Sequence, residues 1–157
     1  MINTLLEEYM TDYDKILEEL SPCGLDCSRC AMRQNGKIAG LSAGLLEALS
    51  GFEKMAPKVS DRFPAMHSYQ AFTDILKFFG QAGCGGCRAG GSQLPFCAAK
   101  SCFKEKKVDF CYQCKEYPCS RNQYPPNLEA RWRDLNDRMK EIGVEEFYRE
   151  QKARPRY

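Results

Sequence analysis

The chain has 157 residues, ten cysteines, a single histidine and a formal net charge of +2, from 23 basic and 21 acidic side chains. That length suits one domain with a modest core, and no stretch approaches the roughly 20 apolar residues of a membrane span, so no membrane partner is expected. The near balance of charge gives only weak support to a nucleic-acid partner, and one histidine leaves little acid–base machinery, so no catalytic residue is assigned and an enzymatic role is not expected.

Residues 2–20 place Ile2, Leu5, Leu6, Tyr9, Tyr13, Ile16, Leu17 and Leu20 at the spacing of one helical face, which predicts a helix stopped by Ser21-Pro22. Acids recur in it from Glu7 onward, with no basic, apolar and small-residue succession of an export signal. A cytoplasmic location is the expectation. Thiols stay reduced there, and dense cysteines point to metal rather than to disulfides.

After a first cysteine loop, Leu41, Leu45, Leu46, Leu49 and Phe52 form a second apolar stripe, closed by Pro57. A third runs from Ser68, read as an N-cap, through Phe72, Ile75, Leu76 and Phe79 to Gly80. Both stripes read as core. From Gly83 to Cys119 aliphatics give way to glycine, lysine and cysteine, a composition that hydrophobic burial alone does not organise and metal could. Asn127 then caps a helix with Leu128, Trp132, Leu135, Met139 and Ile142 at alternating spacings of four and three, ended by Gly143. A short amphipathic piece around Phe147 and Tyr148 precedes a polar end. The expected fold is mainly α: one domain, 1–157, divided into an N-terminal helix (1–20), a cysteine loop with two helices (21–82), an irregular metal-organised region with short hairpins or knuckles (83–126), and C-terminal helices (127–157).

The cysteines read CGLDCSRC (Cys23, Cys27, Cys30), CGGC (Cys84, Cys87), CAAKSC (Cys97, Cys102) and CYQCKEYPC (Cys111, Cys114, Cys119). Two cysteines with two residues between them can turn both sulfurs toward one ion while turn amides bond the thiolates. One such pair is weak evidence; three, with four more cysteines close by, are strong evidence for metal, and all ten cysteines are candidate ligands. Loop closure favours gathering Cys84, Cys87, Cys97 and Cys102 at one site. That leaves six thiols for a second, either a tetrahedral set of Cys27, Cys30, Cys111 and Cys114 or a two-metal cluster; pairing Cys84 and Cys87 with Cys111 and Cys114 is also open. Two zinc ions are the expected cofactors. Because each four-thiolate zinc carries a net −2, two sites would move the folded protein from +2 to −2.

Thiolates suit zinc and iron-sulfur clusters alike. The alternative function is therefore an iron-sulfur electron carrier or sensor built on CxxxCxxC. A radical enzyme with that triplet is disfavoured, because the triplet follows a helix, Arg29 precedes its last cysteine, and strand–helix alternation is absent. Thioredoxin-like exchange at CGGC or CYQC lacks its strand-to-helix setting. His67, in PAMHSYQ, reads as an exposed residue near a helix start rather than as ligand or base. Arg88, Lys100, Lys104, Lys106, Lys107, Lys115 and Arg121 could face phosphate beside zinc knuckles, but compensation of negative thiolate sites explains them more simply.

With CGLDCSRC, CGGC, CAAKSC, VDFCYQCKEYPC and the ending RMKEIGVEEFYREQKARPRY in view, the chain resembles domain of unknown function 3795, small cysteine-rich proteins of bacteria and archaea that carry a zinc-binding label. The resemblance runs from about Pro22 to the C-terminus and includes all ten cysteines, onto which it carries metal ligation. It implies no activity, substrate or partner.

Overall fold

The computed structural model describes residues 12–91 and 94–157. Its helices are α1 (Asp12–Glu19), α2 (Lys37–Ala48), α3 (Ala56–Val59), α4 (Tyr69–Gly80), α5 (Ala99–Lys106), α6 (Pro126–Ile142) and α7 (Val144–Ala153), joined by 3-10 turns. The mainly α expectation is met. The hairpins expected at the cysteine turns are reduced, among the described residues, to two isolated bridges, Leu20 with Asp26 and Arg33 with Cys84. Of the predicted first helix only Asp12–Glu19 is seen, since Ile2, Leu5, Leu6 and Tyr9 lie outside the described residues.

The residues fall into two compact units, one drawn from Met1–Ser28 with Gly85–Tyr157, the other Arg29–Cys84. In the first, the apolar faces of α1, α6 and α7 meet through Ile16, Leu20, Met139, Val144 and Phe147, with Phe110 fully buried among them. Gly143 makes the α6–α7 corner at φ +83, a conformation that favours glycine. The C-terminal piece is thus a full helix, Val144–Ala153, longer than its sequence suggested, because Phe147 gives it a buried anchor. At the start of α6, Pro125 is the N-cap and Pro126 the first-turn proline, so the cap predicted at Asn127 shifts by two residues.

The stretch read as irregular contains α5. Cys97, Ala99 and Cys111 pack with Cys23 and Trp132 in a second buried cluster, so cysteine and alanine act here as small apolar side chains. The chain supplies α5 with no N-terminal side-chain cap of its own. Asn122 serves instead from a distant loop: its buried Oδ1 accepts the Ala99 N–H at 3.1 Å. Asn122→Ala is expected to lower stability by about 1–2 kcal/mol, measured by urea unfolding, through that lost acceptor.

One buried asparagine ties this cluster to the cysteine loop. Asn136, fully buried on α6, donates to the carbonyls of Cys23 and Trp132, both at 2.9 Å, and accepts the Tyr112 N–H at 3.0 Å. Next to it Gly24 sits at φ +88, and a β-carbon there would lie 2.8 Å from Met139 Cε and 3.1 Å from Leu135 Cβ. Gly24→Ala combines backbone strain with overpacking and should cost about 3 kcal/mol, visible as a lower urea midpoint.

Polar groups close the other end of this unit. Lys152 pairs with Glu19 and with Asp26, which is 2% exposed and also accepts the Ser28 N–H and hydroxyl. Burial raises the Glu19 pKa, but hydrogen bonds from Lys152 and Tyr148 outweigh it and hold the carboxyl below its ordinary value. A carboxyl depressed in the folded state adds stability above its unfolded pKa and loses it as pH falls through the folded value. Stability should therefore drop below about pH 4.5. Lys152→Met should flatten that acid limb, in urea titrations repeated from pH 6 to pH 3.

In the second unit α2 and α4 approach through small residues. Ala39, Ser42 and Thr73 are buried, and Gly80 lies against Ala43. Leu41, Leu45, Phe72 and Ile75, read as core from their spacing, are instead 41–63% exposed. Close backbone approach at the small residues turns the large ones outward. Pro57 also differs from expectation: α2 ends at Ala48, Gly51 at φ +85 makes the break, and Pro57 sits in the first turn of α3. Ser68 does occupy the N-cap position of α4, without a side-chain cap bond.

Candidate metal centre

Four of the predicted ligands come together in the first unit. Cys102 projects from α5, Cys111 and Cys114 flank the 3-10 turn Cys111–Gln113, and Cys119 follows in the loop before α6. All four line one cavity of about 20 Å³, together with Phe103, Val108, Tyr117 and Trp132. The volume is enough for about one water-sized occupant.

Local bonds position each ligand. Gln113 Oε1 accepts the N–H groups of Asp109 and Phe110 at 2.9 and 3.0 Å, which winds the turn, and the Cys114 N–H donates to the Cys111 carbonyl at 3.0 Å. Two cysteines three apart on such a turn share a side. Tyr117 packs edge-on against Trp132 at 5.0 Å and donates its hydroxyl to Asp137 at 2.8 Å, fixing the path toward Cys119.

Trp132 is 3% exposed, and its indole Nε1 has no hydrogen-bond partner. Burial pushes the Cys111 thiol up to about 12, with Trp132 opposing, and raises Cys102 as well. A thiol is a poor acceptor and a thiolate a good one. An ionised Cys111 would be the better acceptor for a neighbouring N–H, and a buried thiolate needs a cation beside it.

A second group lies deeper in the same unit. Cys23 and Cys97 are buried, and Cys27 and Cys87 are half-buried. Tyr124 Oη stands 2.9 Å from Cys97 Sγ and Ser21 Oγ 3.0 Å from Cys23 Sγ. Burial pushes the Cys23 thiol up to about 11, while Cys87 is raised by the Cys27 hydrogen bond and then by burial. Cys30 and Cys84 belong to the other unit, where the Cys84 N–H bonds the Met32 carbonyl and the Arg33 N–H the Cys30 carbonyl, both at 3.0 Å. None of the ten cysteines is joined to another in a disulfide. Cys102 thus lines one cavity with Cys111, Cys114 and Cys119, whereas short loop closure favoured Cys84, Cys87 and Cys97 as its partners.

Among the described residues no three Cys, His, Asp or Glu side chains already stand in coordinating positions around one point. The cavity fits a metal by its thiol donors, its one-ion size and the orphaned indole. The sulfurs would have to turn inward to reach it. The family model matches residues 19–124, the stretch that holds all ten cysteines. The chain belongs to the DUF3795 family, proteins of unknown function. No curated protein and no solved structure matches it.

In this DUF3795 protein His67 is exposed on the 3-10 helix Pro64–Ser68 of the second unit. Several of the basic residues near the cysteines have internal partners. Arg88 donates to the Leu20 and Asp109 carbonyls at 3.1 and 2.7 Å and stacks over Phe103 and Phe110, and Lys106 and Arg121 pair with Glu116 and Glu105. Trp132, Asn122 and Tyr124 were not singled out as site residues by sequence. A tryptophan at a helical core spacing gives no sign that its N–H is buried without a partner.

Proposed function

We propose that the protein binds zinc through the thiolates of Cys102, Cys111, Cys114 and Cys119, and that the metal has a structural or interaction role, fastening α5, the Cys111–Gln113 turn and the following loop to α6. The single observation behind this reading is that four cysteines from these segments line one ion-sized cavity that is also lined by Trp132, whose buried indole N–H has no partner. Thiolates are soft donors, and four of them make the closed tetrahedral set typical of structural zinc. A cavity of about 20 Å³ suits a single ion better than a multi-iron cluster. The same reading requires a compartment where thiols stay reduced, which is the cytoplasm.

The test is metal analysis of protein purified anaerobically without added metal. At least one equivalent of zinc is expected, in a colourless protein that releases protons on metal uptake because its ligands must ionise. A brown protein with broad visible absorbance and stoichiometric iron would replace zinc by an iron-sulfur cluster. Less than one equivalent of any metal, with all ten thiols open to titration, would end the proposal.

A further inference from the structure

We propose that the protein forms a dimer through its second unit, with the α2 helices of two copies packed antiparallel about a two-fold axis and α4 flanking them. None of the four cysteines proposed to hold zinc lies in this unit, so the two readings stand or fall separately. The starting observation is apolar surface left uncovered. Leu41, Leu45, Met55, Phe72, Ile75 and Phe78 are each between 41% and 63% exposed. At roughly 200 Å² for a large side chain, they present about 600 Å² of apolar surface. A stable homodimer needs about 800 Å² from each partner, roughly two-thirds of it apolar, or about 500 Å². The face is therefore large enough to hold two copies together.

The pattern on α2 fits a copy of itself, as a two-fold interface requires. Ala39 and Ser42 are buried, whereas Lys37, Gly40, Leu41, Gly44, Leu45 and Ala48 are exposed at the spacing of one broad helical side. Nothing within 4 Å would meet a β-carbon at Gly40 or Gly44. Glycine weakens a helix interior relative to alanine, so packing within one copy gives no reason for either residue. Antiparallel pairing centred between Ser42 and Ala43 supplies one. Leu41 and Leu45 then fall opposite the partner's Gly44 and the partner's Gly40, large against small, and the helix axes come close. Charge points the same way. Residues 38–46 carry none, Lys37 opens α2 and Glu47 lies in its last turn, the reverse of what the helix dipole favours. In the antiparallel pair the partner's Glu47 comes to the N-terminal end of α2 and the partner's Lys37 to its C-terminal end, so each end meets charge of the favoured sign.

Sedimentation equilibrium of the full chain over roughly 1–200 µM decides the matter. The wild type should give a species of about 36 kDa, twice the 17.9 kDa chain. Leu41→Glu/Ile75→Glu should sediment as the monomer throughout, with its helical circular dichroism kept, because both side chains already face water. Lys37→Glu suits the dipole of its own helix but sets like charges together twice, so the dissociation constant should rise about tenfold; Lys37→Glu/Glu47→Lys should restore it. Should the Leu41→Glu/Ile75→Glu protein fail to fold, Gly44→Ala, which favours the helix, is expected to weaken the dimer at least tenfold by filling the groove. A wild type that stays monomeric at about 200 µM overturns the proposal, and the face is then covered by the chain's own residues or reserved for a different protein. A dimer unmoved by Leu41→Glu/Ile75→Glu or by Gly44→Ala overturns it as well, since the contact must then lie elsewhere.

Discussion

A strong chelator is expected to unfold the cysteine-rich part of the first unit, with loss of the α5 helical signal and exposure of Trp132. Structural zinc supplies on the order of 10 kcal/mol of folding free energy, as much as an entire small domain's net stability. The stretch from α5 to Cys119 has little else of comparable size. Its buried residues, Ala99, Phe110 and Cys111, include only one large side chain. Trp132 is the only tryptophan in the chain and is buried against this region, so its emission reports the event without added labels. The expected result is a red shift on chelation, reversed by zinc, with Cys111→Ser/Cys114→Ser already red-shifted before chelator is added. Unchanged emission and unchanged circular dichroism would mean that packing against Trp132 suffices.

Asn136→Ala is expected to be the most damaging single substitution outside the cysteines, at about 3–4 kcal/mol. The side chain is fully buried and makes three hydrogen bonds, two donated to the Cys23 and Trp132 carbonyls and one accepted from the Tyr112 N–H. Truncation leaves the Cys23 carbonyl and the Tyr112 amide buried without that partner, and it opens a cavity beside Met139. One orphan, the Tyr112 amide, lies next to a proposed ligand, Cys111. Metal affinity should therefore fall along with the urea midpoint. Asn136→Asp keeps an acceptor for Tyr112 but loses the donor to Cys23, so an intermediate loss is expected. A cost below about 1 kcal/mol for the alanine variant would show that the loop is held by other means.

The helices were legible where large apolar residues recur at helical spacing and a real core receives them. Ile16, Leu20, Met139 and Phe147 satisfy both conditions. Leu41, Leu45, Phe72 and Ile75 satisfy only the first, because Ala39, Ser42, Thr73 and Gly80 let the two helices approach on a face of small residues. Spacing identifies a stripe without saying which face a neighbour will cover. α5 was missed for a related reason. Its cap, Asn122, is 23 residues from the Ala99 amide that it bonds, and its one buried side chain is an alanine. The cysteines stood out as candidate ligands at once, since ten in a short chain is conspicuous. Their grouping was not legible. Loop entropy favours near neighbours, but the fold sets Cys102 and Cys119 around one cavity that Trp132 and Tyr117 also line, an arrangement that no spacing encodes.

Zinc K-edge X-ray absorption on the protein as isolated tests the central claim most directly. Binding at Cys102, Cys111, Cys114 and Cys119 predicts a first shell of sulfur alone, four per zinc at about 2.3 Å. A shell containing oxygen or nitrogen, or an edge too weak for one zinc per chain, would contradict it.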